Sequence, residues 1–194
     1  MTKRRALGQH FLRDAGIARA IVDLVAPSAQ DLVVGNLPYS VSKPIVAALL
    51  EARASLDVMA LMLQREVAER LAAPPGSRVY GALSVLTQAV SSVELALRVP
   101  PGAFRPPPQV ESAVVRLTPR ATSPVPPDLE RRFREVVRAA FGRRRKTLAN
   151  ALAGGLGLSL GVVREAATTS GVDPGRRAET LNIDEFVALT ARLS

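Results

Sequence analysis

Apolar positions along the chain follow two rhythms, and the change from one to the other outlines the fold. Residues 32–34 and 58–63 are unbroken apolar runs, short enough to be strands buried on both faces. Residues 93–99 alternate and read as a strand, as do residues 110–117. Between these runs the apolar residues recur at helical spacing. Asp14 is placed to cap a helix with Ile17, Ile21, Leu24 and Val25 on one face, and Pro27 ends it. A second helix over 43–54 turns Ile45, Leu49 and Leu50 inward, with Ser42 as cap and Pro44 in the first turn. Helices are predicted over 64–72, stopped by Pro74-Pro75-Gly76, and over 80–90. Beyond a linker at 119–127 the pattern is all helical, over 128–141, 143–153, 160–169 and 182–193.

Candidate chemistry gathers where the first apolar run stops. Gly35-Asn36-Leu37-Pro38-Tyr39 follows it, and Pro38 stiffens the turn by fixing its own φ and restricting Leu37. A stiff turn at the carboxyl end of a strand is where open α/β sheets place ligands. This one offers an amide, free backbone carbonyls and an aromatic face. Those groups suit a planar base bearing an exocyclic amine. The plainer reading is a chain reversal, since Asn, Pro and Tyr are common in turns. A second stiff segment, Pro100 to Pro108, carries Phe104. Its prolines predict an exposed connector outside any ladder, with Phe104 as a lid or platform.

Composition narrows the partner. The 194-residue chain carries a formal charge of +9, nearly all from Arg, with Lys only at 3, 43 and 146. Arg forks suit phosphate, so a polyanion is expected. Arg143, Arg144, Arg145 and Lys146 are predicted to open a helix, with Arg138 one turn earlier. Cations there oppose the helix dipole by roughly 0.3–1 kcal/mol each, which favours a phosphate-contacting patch over a solvated face. His10 is the only His and there is no Cys, so no zinc site and no disulfide is expected. Gly154-Gly155-Leu156-Gly157 follows a helix rather than a strand and reads as a helix stop, not a nucleotide loop. The apolar runs are too short for a signal sequence or a membrane span, so no membrane contact is expected; the protein is further expected to be cytoplasmic and monomeric.

Taken together these residues resemble the S-adenosylmethionine-dependent rRNA adenine N6-dimethyltransferases (KsgA/RsmA type). The likeness runs through Gly8-Gln9-His10-Phe11-Leu12, Asn36-Leu37-Pro38-Tyr39 and Leu63-Gln64-Arg65-Glu66-Val67. It continues through Tyr80-Gly81-Ala82-Leu83-Ser84-Val85 and the run from Phe104-Arg105-Pro106-Pro107-Pro108 to Val115. Phe141, Arg144-Arg145-Lys146-Thr147-Leu148 and Arg177-Ala178-Glu179 complete it in family order. The resemblance implies an α/β fold, a truncated Rossmann-like methyltransferase sheet at 1–118, a linker at 119–127 and a small all-helical rRNA-binding domain at 128–194. It implies dimethylation of two adjacent adenines near the 3′ end of 16S rRNA in the small ribosomal subunit. Asn36 and the Leu37 and Pro38 carbonyls would hold the amine, and Tyr39 and Phe104 would sandwich the base. His10, Leu12 and Asn36 would line the S-adenosylmethionine, and Arg138, Arg143, Arg144, Arg145 and Lys146 would bind RNA.

The chain departs from the family between Pro27 and Asn36. The family's Gly-rich loop and the acidic residues that follow it are absent, and the first strand reads as fused to the fourth. On the order of 60–80 residues are missing, about two βαβ units. Asp31 is the only acid between Asp23 and Glu51. The sheet is therefore expected to end in an apolar edge, and cofactor affinity to be low. An RNA-binding or ribosome-assembly protein without transferase activity is the alternative function. A large-subunit (23S) rRNA adenine methyltransferase of the macrolide-resistance type is a further one, against which the Arg177-Ala178-Glu179 ending counts.

Overall fold

The computed structural model describes residues 10–24, 32–38, 42–143 and 145–194. The chain divides into two compact units, Met1–Ala72 with Ser91–Arg120, and Ala73–Val90 with Ala121–Ser194. The sequence boundary at 118 put residues 73–90 with the sheet, whereas here they group with the C-terminal helices. The reason is burial: Tyr80, Val85 and Ala89 belong to the helical core, and the Tyr80 hydroxyl donates to Leu181 O at 3.0 Å.

The first unit holds β1 (Phe11–Leu12), α1 (Ala15–Asp23), β2 (Leu32–Asn36), α2 (Ser42–Glu51), β3 (Val58–Gln64) and α3 (Arg65–Leu71), followed by β4 (Ser91–Val99), β5 (Phe104–Arg105) and β6 (Ser112–Pro119). A four-stranded sheet runs in the order β2-β3-β6-β4, with β2 parallel to β3 and the other pairs antiparallel. β3 is buried from Val58 to Leu63, which explains its unbroken apolar run. Alternate residues serve opposite faces. Val58, Ala60 and Met62 pack with Val99, Phe104, Val114 and Ile21, and Ile17 and Leu24 join them. Met59, Leu61 and Leu63 are buried on the other face, level with Leu117, Val115 and Ala113. Asp14 caps α1 as expected, accepting from Ile17 N at 3.0 Å. Among the described residues β2 pairs only with β3, so its outer side is a sheet edge, and Val34 is 42% exposed.

The second unit packs α4 (Ala82–Gln88), α5 (Glu130–Phe141), α6 (Leu148–Leu156), α7 (Leu160–Thr169) and α8 (Ile183–Arg192). Phe133 and Val137 of α5, Leu152 of α6, Val163 of α7 and Phe186 of α8 meet in one core with Tyr80. The predicted helix stop at Gly154 is displaced. α6 runs through Gly154 and Gly155 and ends at Gly157, whose φ of 69° supplies the left-handed cap. Gly155 is needed for packing, because a Cβ there would lie 2.6 Å from Ala139 Cβ. Among the described residues no helix is long and apolar enough to cross a membrane.

Candidate functional site

The turn after β2 sits at the carboxyl end of the parallel pair, as its sequence predicted. Asn36 is the last residue of β2 and lies level with Met62 of β3. Leu37 N donates to Met62 O at 3.1 Å, so the turn is tied to the end of the neighbouring strand. Asn36 Nδ2 donates to His10 O at 2.9 Å. A carbonyl can only accept, which assigns the amide orientation and leaves Oδ1 as the acceptor. Among the described residues nothing donates to Oδ1, nor to the carbonyls of Leu37 and Pro38. Tyr39 lies outside the described residues.

His10 joins this turn to the proline-rich connector. Its Nδ1 bonds Pro106 O at 2.8 Å, so Nδ1 carries the proton. Beside it β1 pairs with β5, Phe11 opposite Arg105 and Leu12 opposite Phe104, and Arg13 N donates to Ala103 O at 2.8 Å. Residues far apart in sequence, His10, Leu12, Asn36 and Phe104, are thereby drawn to one end of the sheet. The connector corrects two expectations. It does join a ladder, because Phe104 and Arg105 stand between Pro101 and Pro106 and keep their N–H groups. Phe104 is not an exposed platform; it is 3% exposed and packed among Ile21, Met62 and Val114.

The same sheet end carries a group of residues to which the sequence alone assigned no role. A cavity of about 540 Å³ is lined by Gln64, Arg65, Glu66, Val110 and Glu111. Arg65 spans it, with N donating to Glu111 O at 2.9 Å and Nη1 pairing with Glu111 Oε2 at 2.6 Å. The signal was present in the Gln-Arg-Glu step that ends the buried run. Nothing in that step announced that Glu111, 46 residues later, would face it.

The basic cluster lies in the helical unit, and its setting differs from the prediction. α6 starts at Leu148, behind Thr147, so Arg143 does not open a helix. Arg138 is in the last turn of α5, and Arg143, Arg145 and Lys146 occupy the connection that follows, where Lys146 N donates to Arg143 O at 2.9 Å. These cations follow the carboxyl end of α5, which favours them, so the dipole conflict does not support a patch. Pairing does. Earlier on α5, Arg132 meets Glu135 at 3.0 Å and Arg134 meets Glu130 at 3.3 Å. Arg138, Arg143, Arg145 and Lys146 are exposed, and among the described residues none has an acidic partner. Arg144 lies outside the described residues.

Known proteins resemble this chain in sequence and in fold. The profile of the family described as "Ribosomal RNA adenine dimethylase" matches residues 26–194. The "Ribosomal RNA small subunit methyltransferase A" of Xanthomonas campestris pv. campestris is 48% identical over 167 residues, which are 85% of this chain and 61% of that protein. The protein of the same description from Desulfitobacterium hafniense is 48% identical over 84% of this chain and 58% of its own length. The chain therefore spans about three-fifths of the length of these curated relatives. Among solved structures, a dimethyladenosine transferase from Plasmodium falciparum superposes with a TM-score of 0.67 at 25% identity, over 82% of this chain and 65% of that one. The 23S rRNA methyltransferase ErmE superposes with a TM-score of 0.63 at 24% identity, over 88% and 69%. Both likenesses carry the Rossmann-like methyltransferase fold, and the strands present here form part of such a sheet.

Proposed function

We propose, since the chain belongs to the ribosomal RNA adenine dimethylase family, that its function is methylation of adenine N6 in small-subunit rRNA. The observation that supports this most directly is the Asn36 amide. Its NH2 is spent on His10 O, which leaves Oδ1 and the neighbouring Leu37 and Pro38 carbonyls as acceptors at the mouth of the sheet. The exocyclic amine of adenine is a poor nucleophile because its lone pair is delocalised into the ring. Acceptors that take both of its protons turn the nitrogen toward the tetrahedral form and aim the lone pair, so positioning does much of the work. Tyr39 is placed by the sequence to stack on the extruded base. Phe104 serves the site from beneath, as the packed anchor of the connector. Arg138, Arg143, Arg145 and Lys146 supply cations for RNA phosphates.

S-adenosylmethionine is the family's methyl donor and supplies an electrophilic sulfonium methyl when bound. The described residues do not by themselves fit it. The His10 carbonyl and ring Nδ1 are occupied by Asn36 and Pro106, and Leu12 is partly buried against the core. The short connection from α1 to β2 holds one acid, Asp31, and no Gly-rich loop. That observation favours a second reading, RNA binding without transfer, in which the basic helical unit is the working part.

Titration calorimetry of S-adenosylmethionine into the folded 194-residue chain separates the two. Micromolar binding, followed by methylation of isolated small subunits and not large ones, establishes the first reading. Absence of heat, with salt-dependent RNA binding intact, establishes the second. Methylation of large subunits instead would identify the macrolide-resistance type of activity.

A further inference from the structure

We infer that Gly154 positions Arg143 as a preformed phosphate fork, so that a glycine inside α6 is part of the RNA-binding surface although it carries no charge. The inference rests on the RNA reading above and adds a positioning residue to it. Gly is among the poorest residues inside a helix, and a position that keeps it there needs a reason. At Gly155 the reason is packing against Ala139. At Gly154 it is different. A Cβ built there would lie 2.8 Å from Arg143 Nη1, 2.9 Å from Cζ and 3.2 Å from Nη2, its three nearest neighbours. An edge-on approach would leave Cζ farthest of the three. Cζ instead falls between the two nitrogens, so the flat face of the guanidinium covers the glycine.

A guanidinium held by its face turns its N–H groups outward along its edges. Among the described residues the Arg143 side chain makes no hydrogen bond and no ion pair, the residue's one bond being that of its backbone carbonyl from Lys146 N, so those donors are unspent. A fork seated against the helix with free donors matches the paired oxygens of a phosphodiester, and it loses less entropy on binding than a side chain in open solvent does. Arg138 in the last turn of α5 and Lys146 in the connection supply further positive charge nearby in the chain. At position 154 any side chain would occupy the volume of the guanidinium. The far end of Arg143 is flexible and can move aside, so the change costs the fold little and costs the fork its seat.

The test measures binding of the 194-residue chain to a fluorescent RNA hairpin by anisotropy across a salt series, with thermal midpoints by circular dichroism. Gly154→Ala should keep or raise the thermal midpoint, because Ala favours the helix, while weakening RNA binding about three-fold or more. Arg143→Ala should weaken it roughly ten-fold and lower the salt slope by about one. The double variant should bind no worse than Arg143→Ala alone. Arg143→Lys, which keeps the charge without the flat face, should weaken binding with the salt slope unchanged. This last variant stands in should Gly154→Ala fail to fold. Binding by Gly154→Ala or Arg143→Lys equal to that of the unmodified chain overturns the inference alone. Multiplying losses in the double variant do the same. An unmodified chain that does not bind RNA overturns the RNA reading and the inference with it.

Discussion

At Asn36 the amide nitrogen is spent on His10 O, and that orientation turns Oδ1 into the acceptor the proposed amine would need. Asn36→Ala should abolish any methyl transfer to small subunits while leaving RNA affinity within about two-fold, since one uncharged contact among many phosphate contacts is small. Loss of RNA binding instead would make Asn36 a docking residue. A different residue, Glu185, contributes to stability in a pH-dependent way. Burial pushes its carboxyl up, but hydrogen bonds from Arg176 and Asn182 N, with the Arg176 charge, more than reverse this and hold it below the usual value. Folding thus favours the ionised form. Its contribution is complete above the unfolded carboxylate range and fades as pH falls through it and below. Glu185→Gln should cost about 1–2 kcal/mol at neutral pH and flatten the stability profile in acid, checked by urea unfolding at several pH values. Nearby, burial and the Glu185 charge push the Tyr80 hydroxyl up to about 12, so it remains a donor to Leu181 O. The place of the Asn36 turn at the end of β2 was legible in the sequence. The burial of Phe104 was not, because the partner that holds its segment, β1, lies some 90 residues earlier.

Elements show what the shortened connection does to the sheet. β2 has one described partner and carries Val33 and Val34 with no charged residue or proline between Leu32 and Asn36 to blunt the edge. Val34→Lys should reduce concentration-dependent self-association in light scattering while leaving the circular dichroism spectrum unchanged. Equal scattering by both proteins would place the sticky surface elsewhere. The helices were read well where capping and spacing agreed, as at Asp14 for α1 and over 160–169 for α7. They were misread at α6. The Arg run looks like a helix opening, and two adjacent glycines look like a stop, yet the helix starts later and passes through both. Close packing of Ala139 on Gly155 and the cover of Arg143 over Gly154 outweigh the local preference.

For the molecule as a whole, charge and connectivity divide the labour. The net +9 is not spread evenly in effect, because the acidic partners of α5 neutralise its first half and leave its end bare. Replacing Arg143, Arg145 and Lys146 together by Ala should lower the slope of log affinity against log salt by about two to three, read from anisotropy titrations. An unchanged slope would move the RNA contact off this face. The grouping of residues 73–90 with the C-terminal helices also belongs to this scale, since the Gly76 N to Glu179 O bond at 2.7 Å and the Tyr80 contact span a hundred residues.

By itself the sequence determined the class of the fold, a two-part division in outline, the place of the Asn36 turn at the end of a strand and the basic character of the chain. Those follow from local pattern and composition, in which each residue's neighbours in the chain carry the information. Only the tertiary structure decided that His10 would orient the Asn36 amide, that Phe104 would be core, and that Glu111 would close on Arg65. It likewise decided that a glycine would seat Arg143. Each of these joins segments distant in the chain, and such contacts are set by packing and hydrogen-bond satisfaction in three dimensions rather than by any pattern along the sequence.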